Sequence, residues 1–162
     1  MLASGAILGV IAGLVVRRKW RPLATVHPYW LPLLVAGLFG RVIAPLVPGV
    51  GLLLYGFALV STVAVALANV RLTGAVLVAI GGGLNLAVVA LNGGMPVDAA
   101  AAIAAGTTIP SDVLHLRLTD STQLKALADV IAVPIFRAVY SVGDLFIAAG
   151  GFVVPFAVLI RR

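Results

Sequence analysis

The sequence has no cysteine, no glutamate, two histidines and only 10% charged residues. Without cysteine there is no disulfide framework, no thiol nucleophile and no thiolate metal site. His27 and His115 stand far apart and no His-Glu-x-x-His element occurs, so no metal is expected and both read as interfacial hydrogen-bonders. The chain also lacks a Gly-x-Gly-x-x-Gly element and a P-loop, so no nucleotide or other cofactor is indicated. A Ser-His-Asp site needs a neighbouring histidine, and nothing in the spacing singles out a nucleophile. The shortage of charge excludes more than chemistry. A soluble domain is about 25% charged and roughly 45–50% apolar, whereas this chain is 62% hydrophobic with a mean hydropathy of +1.21. It reads as an integral membrane protein whose first partner is the lipid bilayer.

A net charge of +6 and a pI near 10.9 would otherwise suggest nucleic acid. Seven of the eleven basic residues (Arg17, Arg18, Lys19, Arg21, Arg71, Arg161 and Arg162) instead flank apolar runs, and no basic helix or aromatic-basic stripe occurs, so no nucleic-acid partner is expected. Nine arginines against two lysines, with abundant Ala, Val and Gly, fit a GC-rich bacterial genome.

The expected fold class is all-α: one polytopic domain, residues 1–162, of about five transmembrane helices with an extracytoplasmic cap of short helices. The spans fall at about 2–16, 30–47, 51–70, 75–92 and 142–160, and residues 93–141 form the outer segment. The first span is short and needs snorkelling arginines or tilt. Pro45, Pro48 and their neighbouring glycines turn the second span tightly into the third. Basic residues in short loops set orientation. "RRKWR" marks the cytoplasm, so the N-terminus lies outside, Arg71 returns inside and Arg161–Arg162 end inside, in a bacterial plasma membrane. All five acidic residues (Asp98, Asp112, Asp120, Asp129, Asp144) then lie at or near the outer face.

The positive charges of the first segment follow its apolar run, which marks a retained anchor and not a removable signal peptide. Its Gly5, Gly9 and Gly13 form a small-xxx-small ridge for close helix packing, within the chain or against a membrane partner or second copy.

In the outer segment, "PVDAAAAIAAG" predicts a short helix with Asp98 in its first turn and Gly106 as its stop. A second start is expected after Pro110, with Ser111 or Asp112 as cap. "TDSTQLKALADVI" predicts a third helix, with Asp120 and Gln123 as capping box and Leu124, Leu127, Ala128 and Ile131 as apolar stripe, ended by Pro134. "IFRAVY" supplies aromatics of the headgroup zone. Asn92-Gly93-Gly94 marks where the fourth span leaves the membrane. Asn85 and Asn92, seven apart, share one face of that span, either as interhelical hydrogen-bonders or as the wall of a polar cavity beneath the outer segment.

The carboxylates carry the remaining chemistry. Ser141 with Asp144 fits a capping box for the last span. Asp129 follows Lys125 by four residues, so a surface ion pair is its plain reading. Arg41 lies inside the second span, where an unpaired charge costs at least ~2.5–3.5 kcal/mol, and Asp144 is its expected partner. The functional alternative makes Asp129 and Asp144 a catalytic dyad sharing one proton.

The succession "GGGLNLAVVALNGGMPV", "LADVIAVP" and "YSVGDLFIAAGG" resembles an uncharacterised family of small bacterial membrane proteins, a domain of unknown function. That family is marked by Asn-Gly-Gly-x-Met-Pro-Val, then Gly-Asp, then Ser-x-Gly-Asp; here Ala128 replaces the glycine of the middle element. The resemblance covers about 75–155 and implies membrane location without an activity. Tyr140, Ser141, Gly143, Asp144, Ile147 and Gly150 also look like the second catalytic element of signal peptidase II, the aspartic lipoprotein peptidase. That likeness implies outer-face aspartates, but Val88 and Val89 stand where its first motif has Asp and Arg.

Three roles follow as expectations. The first is a structural or accessory subunit, packed against membrane partners through the glycine ridge. The second is an outer-face aspartic hydrolase acting on a lipid-anchored substrate through Asp129 and Asp144. The third is a small-ligand binder using Arg41, Asn85, Asn92 and Asp144, with Ser141 beside them.

Overall fold

The computed structural model describes residues 2–17 and 27–160. Arg18, Lys19, Arg21 and Arg161–Arg162, which carry much of the expected orientation, lie outside the described residues. Most of the chain is helical. The helices are α1 (Leu2–Arg17), α2 (Leu31–Ile43), α3 (Gly51–Ala68), α4 (Ala75–Asn92), the short α5 (Ala99–Ala104) and α6 (Val142–Ile160). Of these, α3, α4 and α6 are long and apolar enough to cross a membrane. The helix α1 has 16 residues and α2 has 13, prolonged by a 3₁₀ turn at Ala44–Leu46.

The five long helices pack in the row α1, α6, α4, α3, α2. The chain order is broken once, where α6 inserts between the first helix and the rest. Small residues permit this close packing. A Cβ at Gly5 would strike the carbonyl of Ala148, one at Gly9 that of Phe152, and one at Gly13 would meet Leu159 at 2.6 Å. The ridge is therefore filled by the chain's own α6. Elsewhere the helices turn bulky apolar groups outward, such as Val15 and Leu53 (both 73% exposed) and Val42 (70%), as expected of side chains meeting lipid.

At the end of the bundle away from the cap, Asn69 fastens the start of α2 to the end of α3. Its amide oxygen accepts from the Tyr29 N–H at 2.8 Å, and its Nδ2 donates to the carbonyls of Tyr29 (2.9 Å) and Val65 (2.8 Å). Arg71 lies over the Tyr29 ring at 4.3 Å.

The cap is not all-α. It contains two small sheets: β1 (Met95–Val97) parallel to β2 (His115–Arg117), and β3 (Ile131–Val133) antiparallel to β4 (Ala138–Tyr140). Only α5 answers the helices predicted there, and Asp98 is its N-cap, accepting from the amides of Ala100 (3.3 Å) and Ala101 (3.1 Å). The start expected at Ser111–Asp112 is a turn into β2, in which Asp112 Oδ1 accepts from the amides of Leu114 and His115 and contacts the His115 ring at 2.7 Å.

The helix expected over 120–131 is a single 3₁₀ turn, Lys125–Leu127. Two causes are visible. The Thr119 amide donates to the Thr122 hydroxyl at 2.9 Å, a local bond that competes with helix. Gln123 gives its amide and its carbonyl to the Asn92 side chain instead of forming a capping box with Asp120. Leu124 follows in the left-handed region (φ 53°) and is 43% exposed, so the stripe dissolves, although Leu127 and the fully buried Ala128 still face inward. Pro134 opens a 3₁₀ turn that joins β3 to β4, with Ile135 and Phe136 83% and 67% exposed at its tip.

Candidate functional site

The Asn92-Gly93-Gly94 break sets up the site. Gly93 adopts φ 73°, a conformation that side-chain-bearing residues resist, and its amide closes α4 on the carbonyl of Val89. The chain then leaves as β1, buried at all three positions. The Met95 amide donates to the Leu114 carbonyl at 2.7 Å on one side. On the other, the Asp129 amide donates to the Pro96 carbonyl, and the Asp98 amide to the Asp129 carbonyl, both at 2.9 Å. Pro96 has no N–H to satisfy, so it suits a buried position where only its carbonyl is used. These bonds fix the backbone of Asp129 against the floor of the cap.

Asp129 is consequently not at the surface. It is 8% exposed, and its Oδ1 is buried without a hydrogen-bond partner among the described residues. The ion pair expected with Lys125 is absent; Lys125 instead lies 3.6 Å from Asp120, both exposed. Burial first, and then the negative charge of Asp144, push the Asp129 carboxyl up to about 8 from its ordinary 3.8, against a smaller opposing pull from Arg41.

The capping box of α6 forms as the sequence predicts. The Asp144 amide donates to Ser141 Oγ at 2.9 Å, and the Ser141 amide donates to Asp144 Oδ2 at 3.2 Å. Asn85 closes the arrangement from α4. Its Nδ2 donates to Asp144 Oδ1 at 3.0 Å, while its Oδ1 accepts from the Ser141 hydroxyl at 2.8 Å. Only glycine fits at position 143, where a Cβ would overlap Asn85 Oδ1. The Asp144 carboxylate is therefore oriented by two donors, Asn85 Nδ2 and the Ser141 amide, while its own amide is held by Ser141 Oγ.

Arg41 does not pair with Asp144: no ion pair within 4.0 Å joins them among the described residues. Its guanidinium lies over the Tyr55 ring, 4.6 Å from the centroid. Such a contact contributes ~0.5–2 kcal/mol and leaves the donors at the guanidinium edge free for other partners.

Arg41, Tyr55, Asn85, Asp129, Tyr140 and Asp144 converge on one cavity of about 280 Å³, bounded by α2, α3, α4, α6 and the cap. Of the residues expected from sequence, Arg41, Asn85, Asp129 and Asp144 line it, and Ser141 is fully buried behind Asp144. Asn92 does not line it. Its side chain is spent on Val88 and Gln123, and it acts as a clasp between α4 and the cap. Gly5, Gly9 and Gly13 contact α6 and not the cavity.

Tyr55, Tyr140, Met95 and His115 also reach the wall and were not foreseen. Tyr55 had a readable signal, since it and Arg41 each lie seven residues from Pro48 across a tight helical turn. Tyr140 titrates above its ordinary value because of burial and then the charge of Asp144. Asp112 titrates below its ordinary value: burial works to raise it, but the bonds from the His115 side chain and the two backbone amides outweigh burial.

The arrangement offers one guanidinium, two unlike carboxyl groups and two phenols around a space large enough for a small polar molecule. Among the described residues no group of three or more His, Asp or Glu side chains stands close enough to hold a metal. No curated protein and no solved structure matches the chain, so the likeness to signal peptidase II finds no further support. A family model does match, over residues 24–156, and the chain belongs to that family, DUF5317, a family of unknown function.

Proposed function

We propose that the protein is a five-span bacterial plasma-membrane protein, N-terminus outside and C-terminus cytoplasmic, that binds the polar group of a small ligand at its outer face. Basic residues beside the apolar runs and aspartates gathered at the opposite side support this orientation. The shorter α1 and α2 span by tilt or local thinning of the bilayer. One observation carries the binding reading: the unsatisfied carboxyl oxygen of Asp129, buried in the wall of a cavity that also holds Arg41. The large majority of buried side-chain polar atoms in folded proteins are hydrogen-bonded, to protein or to ordered water. A ligand that donates to Asp129 and accepts from Arg41 supplies what the fold leaves unmade.

The test is purification from the native membrane in mild detergent, followed by mass spectrometry of small molecules retained by wild type, Asp129→Asn and Arg41→Gln. One compound class held near one per chain in wild type, and lost from both variants, is the expected result. An identical profile in all three refutes the reading.

A second reading keeps the hydrolase, because the two carboxyl groups face one cavity from unlike settings. Asp144, whose carboxylate accepts from two donors, would take a proton from water as the water oxygen bonds to a carbonyl carbon. Asp129, neutral until about pH 8, would give its proton to the leaving group as the scissile bond breaks. Product release from a lipid-anchored peptide, abolished by either Asp→Asn, would select this reading over simple binding. The accessory-subunit role depends on a glycine ridge that the chain's own α6 fills, so it takes third place.

A further inference from the structure

A second cavity of about 340 Å³, more open than the first, lies farther from the cap. Leu34, Val65, Ala66, Val78, Val154 and Pro155 are among its walls, which are almost wholly apolar. Leu38 and Thr62 line both this chamber and the polar one, so the two adjoin along the helix axes. The junction presents no free polar group, since the Thr62 hydroxyl is bonded to the carbonyl of Ala58 at 2.8 Å. At the far end, the Asn69 amide is consumed by Tyr29 and Val65. The polar chamber is charged at one end of the bundle, and the apolar chamber runs from it toward the other.

Resting on the binding reading above, we infer that the ligand is a single-chain zwitterionic lipid. Its phosphate meets Arg41, its ammonium meets the Asp129–Asp144 pair, and its acyl chain fills the apolar chamber. Charge complementarity selects this occupant. The polar chamber offers one cation without a protein ion pair, among the described residues, and two carboxyl groups. An anionic headgroup would satisfy Arg41 while adding negative charge beside Asp144. An uncharged one would leave the guanidinium unneutralised. A headgroup carrying both signs answers each wall, and an attached chain accounts for an apolar chamber where a soluble zwitterion would find no partner.

The experiment measures binding to the purified full-length protein of three probes: a long-chain lysophosphatidylethanolamine, lysophosphatidylglycerol with the same chain, and glycerophosphoethanolamine, the same phosphodiester headgroup without the chain. Lysophosphatidylethanolamine should bind one per chain, roughly tenfold or more tighter than either other probe. Leu34→Trp and Val154→Trp fill the apolar chamber at half-buried positions. Either should lower its affinity to that of glycerophosphoethanolamine. Suppose instead that the lipid binds no tighter than the headgroup, and Asp129→Asn abolishes both; the chain is then irrelevant, and the inference fails while the binding reading stands. Equal binding of both lipids, indifferent to Asp129→Asn, would mean ordinary lipid contact at the protein surface and overturn both.

Discussion

Replacing Asp129 by Asn should make the protein more stable, most of all at alkaline pH. The side chain is 8% exposed, and its carboxyl titrates near 8 in the folded protein against an ordinary 3.8. A folded-state value above the unfolded one means the folded chain binds the extra proton. The wild type then loses stability as pH rises from about 4, and the loss levels off above 8. At ~1.4 kcal/mol per pH unit, the whole window is worth on the order of 5 kcal/mol, and the part between pH 6.5 and 8 about 2 kcal/mol. For a chain of this size, that second part is a fall of about 4–8 °C in Tm. Asparagine has nearly the same shape and cannot ionise, so its curve should lack this component. The assay is thermal unfolding in detergent at pH 6.5 and pH 9, read as the difference between the two proteins, which cancels the titrating groups that do not interact with Asp129. A gap that widens with pH supports the burial argument. Parallel curves, or a variant less stable at both pH values, would show that Asp129 is ionised and paired in the fold. A variant more stable yet unable to retain the ligand would separate what the residue does for function from what it costs the fold.

Gly9→Leu should lower Tm without altering the number of chains per particle. A Cβ there meets Phe152 and Pro155 inside the same chain, and overpacking of this kind costs ~1–3 kcal/mol; light scattering in detergent checks the particle mass. Asn92→Ala removes three hydrogen bonds to Val88 and Gln123, at ~0.5–1.5 kcal/mol each. Amide exchange at Gln123 should accelerate, while the cavity residues keep their protection. Gly143→Ala pushes Asn85 off Ser141 and Asp144, and should weaken ligand retention together with Tm. Tyr55→Leu takes away the face under Arg41 and should reduce retention of any anion-bearing ligand, with Tyr55→Phe restoring it if the ring is what matters.

Features legible in the sequence were those decided within a few residues or along one helix. The apolar runs at 51–70, 75–92 and 142–160 became the three longest helices because length and hydropathy are local properties. Asn92-Gly93 ended α4, Asp98 capped α5, and Ser141 with Asp144 capped α6, each through bonds spanning at most four residues. The cap between 111 and 131 misled for a corresponding reason. Its apolar spacing fits a helix, but Gln123 is drawn away by Asn92, 31 positions earlier, and Asp129 by the backbone of Pro96. Backbone pairing at that distance leaves no periodic trace.

The sequence by itself determined that this is a chain of apolar helices with few charges, where those helices begin and end, and that α1 carries a face of glycines. Each follows from composition or from bonds among near neighbours. The tertiary structure alone decided that the glycine face meets α6, that Arg41 rests on Tyr55 and not on Asp144, and that Asp129 is buried with an unmet oxygen. Those outcomes depend on which helices become neighbours and which strand edge the returning chain takes. Packing settles such choices, because charge spacing along the chain does not encode them.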